Sequence, residues 1–221
     1  MTVTLKDGTV LTPASDKIEF TIPNLVFIVY VDNGPKNRSS GFVINDSGHN
    51  ILSRQLDIGH AGWEVNISPA AQLAQFPQEL RTEANQPWGF NSPGIDNAIL
   101  AVARTKPVQF TASATGQLNG SRLSGNAVGH FEMTSNQTEA ALQYTHKTRT
   151  SPPDYVVPTR NCVDVCVGAI NSAGGTVEGN IRTVFRLKYY PPNSTKNFGW
   201  IEWKLNLSDP HKLAKSFKNS Q

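Results

Sequence analysis

Nucleophilic attack on a carbonyl needs a hydroxyl or thiol, an imidazole to take its proton and a carboxylate to fix that imidazole's tautomer. The chain carries all three kinds of group. Its five histidines are His49, His60, His130, His146 and His211, and its two cysteines are Cys162 and Cys166. Ser172 stands before Ala173-Gly174-Gly175, and Asp96 precedes the apolar run Ala98 to Val102. The cysteines lie in N-C-V-D-V-C-V-G-A-I, which reads as a strand; at ~3.3 Å per residue their Cα atoms would be ~13 Å apart, beyond the ~7 Å limit for a disulfide. Two reduced thiols are therefore expected. No His-Glu-x-x-His, paired Cys-x-x-Cys, phosphate loop or G-x-G-x-x-G follows a suitable element, so no metal and no cofactor is expected.

The elements that must position these groups read mostly as short strands. Leu25 to Val31 is a β-branched and aromatic run closed by Asn33-Gly34-Pro35, and Ser40 to Asn45 with Asn50 to Ser53 flank the turn Asp46-Ser47-Gly48. Trp63 to Ile67 alternates. Pro69, Pro77, Pro87 and Pro93 make residues 69–94 a long loop with one helical turn around Ala70 to Phe76. Ala98 to Ala103 reads as a strand, and residues 108–146 supply further short strands broken by Gly116, Gly120, Gly125 and Gly129. Thr150 to Pro158 reads as an exposed loop. Strands resume at Val163 to Ile170, Ile181 to Tyr189 and Trp200 to Leu207. Ser208 or Asp209 then caps a short helix, with Pro210 in its first turn and Leu213 and Phe217 on one face.

With 221 residues, 38% hydrophobic, 17 Gly and 14 Pro, the chain can bury its own core and is rich in turn formers. A formal charge of +3, with scattered basic residues, gives no support to nucleic-acid binding. No basic start followed by an apolar run is visible, so no signal peptide, no membrane span and a cytoplasmic or nuclear location are expected.

Four segments in order resemble the trypsin-like serine proteases, most closely their HtrA branch. Ser39 to Ser53 (S-S-G-F-V-I-N-D-S-G-H-N-I-L-S) is similar to the G-S-G-F-V-I-x-x-D-G-x-I-L-T hairpin, with one extra residue near Asn50. Asp96 to Val102 resembles the D-x-A-[IL]-L-x-V strand bearing the catalytic aspartate. Ala169 to Gly175 resembles the A-I-N-x-G-N-S-G-G approach to the nucleophile. Phe198 to Trp203, with the helix after it, is similar to the closing G-x-G-F-A-I-P strand. The resemblance spans roughly residues 25 to 218 and implies an all-β, chymotrypsin-like double β-barrel with a short C-terminal helix. It forms a single domain over residues 1–221, with barrels at about 20–105 and 106–207 and the helix at about 209–218.

Within that resemblance the triad is degenerate. The base position falls on Leu56, whose alkyl side chain accepts no proton. Asp96 keeps the carboxylate. The nucleophile position falls on Ala173 when Gly174-Gly175 are aligned, or on Ser172 when Asn171-Ser172 are. The two cysteines lie well upstream of that position and take no part. The resemblance thus implies an inactive pseudoprotease that binds a peptide or protein segment along Phe198, Gly199, Trp200, Ile201 and Glu202, where main-chain pairing needs no triad. Two alternatives stand beside it: an active serine endopeptidase with a displaced triad of Ser172, His60 and Asp96, and a β-sandwich of viral or lectin-like type.

Overall fold

The computed structural model describes residues 3–4, 6–11, 23–32, 41–46, 59–120, 126–192 and 199–218. Its strands are β1 (Val3–Thr4), β2 (Val10–Leu11), β3 (Asn24–Asp32), β4 (Gly41–Asn45), β5 (His60–Ser68), β6 (Trp88–Asn91), β7 (Ser113–Ala114), β8 (Gln117–Asn119), β9 (Asn126–Glu132), β10 (Tyr155–Val156), β11 (Arg182–Tyr190) and β12 (Ile201–Ser208). Its helices are α1 (Ile95–Thr105), α2 (Ser135–Thr150), α3 (Cys162–Ser172) and α4 (Pro210–Lys218), with 3-10 turns at Ala70–Gln75 and Gln78–Glu83.

Helix makes up 34% and strand 35% of this structure, and no barrel closes. The expected all-β double barrel is therefore corrected: among the described residues the strands form separate open sheets, covered by helices. A five-stranded antiparallel sheet runs β8-β6-β5-β3-β9, and a three-stranded sheet runs β12-β11-β4. β4 lies parallel to β11. Two small ladders, β1-β2 and β10-β7, complete the described sheets.

The strands expected from β-branched alternation are present as β3, β5, β11 and β12. In β3 every second residue, Leu25, Phe27, Val29 and Val31, is buried. Facing residues of β5, Ala61, Trp63, Val65 and Ile67, are buried with them. Helices α2 and α3 share this core. Trp63 donates its indole N–H to Thr145 Oγ1 at 3.0 Å and meets the Tyr144 ring edge-on. Each such aromatic or aliphatic side chain, fully buried, contributes roughly 1.5–3 kcal/mol.

Three segments expected as strands are helices, each for a local reason. In α1, Ile95, Ile99 and Ala103 recur four apart and face the second core. The helix stops at Lys106 (φ 53°), just before Pro107. In α2, Thr134 Oγ1 accepts from the Gln137 N–H while the Gln137 side chain accepts from the Thr134 N–H. In α3, Asn161 Oδ1 accepts from the N–H groups of Val163 (2.9 Å) and Asp164 (3.3 Å), and Asp164 Oδ2 accepts from the Asn161 N–H at 3.0 Å. A strand would have turned Cys162, Asp164 and Cys166 to one face and buried the carboxylate with the thiols. The helix buries Cys162, Val163, Cys166, Ala169 and Ile170 and leaves Asp164 at the cap.

The second core lies between α1 and the inner face of the three-stranded sheet. Phe110 and Trp203 pack with ring centroids 5.1 Å apart, and Trp203 donates to the Pro107 carbonyl at 2.9 Å. Arg104 clamps Asp46 through two hydrogen bonds of 2.8 and 2.9 Å, and Tyr189 donates to the same carboxylate at 2.7 Å. The start of α3 joins the two cores: Asn161 Nδ2 donates to the Ser208 carbonyl at 3.3 Å, and Ser208 donates to Asp164.

Candidate functional site

The residues expected to act do not share a site. Leu56 and Phe198 lie outside the described residues. Asp96 sits exposed in the first turn of α1, on the border of an apolar cleft that Asn161 also lines. Ala173 is the fully buried residue that ends α3. Ser172 is in the last turn of that helix and donates its hydroxyl to the Ala169 carbonyl at 2.7 Å. Ser172 is eleven positions along α3 from Asn161, roughly 16 Å at ~1.5 Å per residue, so the helix length separates it from the cleft bordered by Asp96. The displaced set Ser172, His60 and Asp96 is not assembled there.

Of the expected peptide-pairing residues, Gly199 takes φ 89° and Trp200 is 42% exposed, with Lys188 Nζ 4.4 Å from its ring centroid. Ile201 and Glu202 open β12, opposite Tyr189 and Lys188. β12 is the terminal strand of its sheet.

The structure also buries a cysteine where α3 packs on the start of β5. Cys162 is the first residue of α3, and Asn161 caps that helix. The backbone N–H groups of Ala61 and Val163 face its sulfur and favour the thiolate. Burial opposes them and wins: Cys162 is 2% exposed and its thiol is pushed up to about 11. Ala61 is the second residue of β5 and faces the core that α3 shares, whereas its neighbour His60 faces the other side of the sheet. Gly59, at φ 89°, turns the chain into that strand.

Across the ladder His60 stands directly opposite Asp32 of β3. Directly opposed residues share a face with Cβ atoms about 4.5–5.5 Å apart. That is the spacing at which a carboxylate can orient an imidazole. His60 is half-buried.

The Tyr155 hydroxyl also approaches the Cys162 sulfur, and burial pushes its phenol well above the ordinary value, followed by the influence of Cys162. It therefore stays neutral and remains a hydrogen-bond donor. Phe90 stacks on its ring at 5.6 Å. Tyr155 and Asn161 also line the apolar cleft, which continues into the second core along Ile99, Phe110, Leu187, Leu205 and Leu207.

Cys166, one helical turn further on, points its thiol at the Gly62 carbonyl (3.5 Å) and is fully buried, and burial drives its pKa well above the usual range. Both cysteines are free thiols. The reason expected does not hold, because the two are i and i+4 on a helix, with Cα atoms ~6 Å apart, rather than ~13 Å apart along a strand.

Reasoning from the sequence missed Cys162 because it read residues 163–170 as a strand. The signal was present. Asn161 and Asp164 stand at capping-box spacing, and the apolar residues at 162, 163, 166, 169 and 170 follow the helical period.

Among the described residues no helix is long and apolar enough to cross a membrane. No protein-family model matches the chain, nor does any curated protein or any solved structure.

Proposed function

We propose that the protein binds an extended peptide or protein segment along β12. The observation that carries this reading is the position of β12 at the end of its sheet among the described residues, which supports addition of a further strand, with the half-exposed Trp200 beside it.

A Thr/Val hexapeptide should change Trp200 fluorescence, and the Trp200→Ala variant should bind it more weakly. No saturable change would dispose of this reading.

A further inference from the structure

Resting on strand addition at β12, we infer that the segment it takes carries an acidic residue, set opposite Lys204 and within reach of Arg186. Along β11 and β12 alternate residues are buried: Phe185, Leu187 and Tyr189 close the second core together with Trp203, Leu205 and Leu207. The residues between them therefore line the opposite, solvent face of the sheet. On that face stand Val184, Arg186 and Lys188 from β11 and Glu202, Lys204 and Asn206 from β12.

The register of the two strands sets the charges. Lys188 lies opposite Glu202, with Nζ 3.9 Å from its carboxylate and 4.4 Å from the centre of the Trp200 ring. Val184 lies opposite Asn206. Between these two pairs Arg186 stands directly opposite Lys204, and both are exposed. Like charges directly opposed in a ladder are destabilising. Neither cation has a hydrogen bond or an ion pair among the described residues, so the fold carries this repulsion without an acid of its own to relieve it.

A strand added to β12 can supply that acid. Its residue opposite Lys204 shares the solvent face and lies one strand spacing, about 5 Å, from Lys204 and two, about 10 Å, from Arg186. The longer distance is about the Debye length at 0.1 M salt, so a carboxylate there is attracted by both cations. A lysine there would add a third cation to the row. Two residues to either side the neighbours are Glu202 and Asn206, which favours the acid at one position rather than along the whole segment. The intervening positions lie beside Trp203, Leu205 and Leu207 on the core side and take apolar residues. A nucleic acid would satisfy the cations but has no peptide main chain to pair with β12.

Titration of the whole chain with the peptide Thr-Val-Glu-Val-Thr-Val, and with its counterparts bearing Gln or Lys at the third position, tests the inference by tryptophan fluorescence. The Glu peptide is expected to bind about two- to fivefold tighter than the Gln and Lys peptides. In 1 M salt, where the Debye length is about 3 Å, that difference should shrink. Lys204→Glu should remove the preference for the Glu peptide and raise the melting temperature, because it turns a like-charge pair with Arg186 into an opposite one. A Lys204→Glu variant that melts no higher than the parent, or that still prefers the Glu peptide, overturns the inference. Equal saturable binding of all three peptides overturns it too and leaves strand addition standing. No saturable change with any peptide overturns both. Displacement of the Glu peptide by a lower concentration of oligothymidylate would assign the cations to a nucleic acid and overturn the acidic segment.

Discussion

Removing either partner of the Glu83–Arg149 pair should destabilise the protein, and removing the cation should cost more. Glu83 is fully buried, yet its carboxylate accepts from Arg149 Nε and Nη2 at 2.6–3.1 Å and lies 3.0 Å from His146 Nδ1. Its backbone carbonyl accepts from Trp88 at 2.8 Å. Together these bonds hold the turn Gln78–Glu83 against α2. The side chains of Arg149 and His146 are 38% and 31% exposed. An orphaned Arg149 can recover water, so Glu83→Ala should cost about 2–3 kcal/mol, below the usual figure for a broken buried pair because solvent screens the cation. Without Arg149 the buried Glu83 keeps His146 Nδ1 beside it but loses its full cation and cannot recover water, and Arg149→Ala should cost about 3–5 kcal/mol. At about 2–4 °C per kcal/mol for a chain of this size, melting falls by about 4–12 °C and 6–20 °C. The double variant Glu83→Leu/Arg149→Ala should regain part of the loss of Arg149→Ala, because no buried charge is left unpaired. Urea unfolding read by tryptophan fluorescence and by circular dichroism measures all three. If Arg149→Ala proves milder than Glu83→Ala, burial of the carboxylate does not control this site and the reasoning fails.

Asn161→Ala removes both the α3 cap and the bond to Ser208; a loss of about 1–2 kcal/mol in urea unfolding is expected. Gly116→Ala should lower the melting temperature measurably, since a Cβ there would run into the Pro153 carbonyl and the Phe90 ring; an unchanged melt would show that this contact yields freely. Asp46 has its carboxyl held below the ordinary 3.8, first by the Arg104 hydrogen bonds. A depressed carboxyl stabilises the fold above its unfolded pKa and loses that contribution as pH falls through the folded one. Acid unfolding should therefore begin at higher pH in wild type than in Asp46→Asn measured against its own neutral-pH stability. Tyr30 and Tyr189 are pushed up to about 12, first by burial and then by hydrogen bonds to Glu64 and Asp46. In a spectrophotometric titration they should ionise after an ordinary tyrosine, and their contribution to stability should be lost between about pH 10 and 12.

Much of the framework was legible in the residues. The alternation in Leu25 to Val31 and Trp63 to Ile67 demanded half-buried strands, and Asp209 with Pro210 announced the last helix. Four prolines in 69–94 excluded long regular elements there, and the two 3-10 turns and short β6 agree with that. The resemblance to trypsin-like proteases misled where short apolar runs could be strand or helix. Ala98 to Ala103 and Val163 to Ile170 satisfy both patterns over six to eight residues; the Asn161 and Asp164 capping box distinguishes the second, and the first has no side-chain N-cap to do so. Once α1 and α3 are helices, the barrels cannot close, and Asp96, Ala173 and Ser172 move to helix ends.

The sequence by itself determined which segments alternate and where capping residues stand. Only the tertiary structure decided what lies beside Cys162. The ladder of β3 with β5 sets Asp32 opposite His60, and the packing of α3 on β5 carries the thiol to Ala61 across a separation of about a hundred residues. Neither contact leaves a local trace, because a strand's partner and a helix's neighbour are chosen by burial of whole faces rather than by adjacent residues.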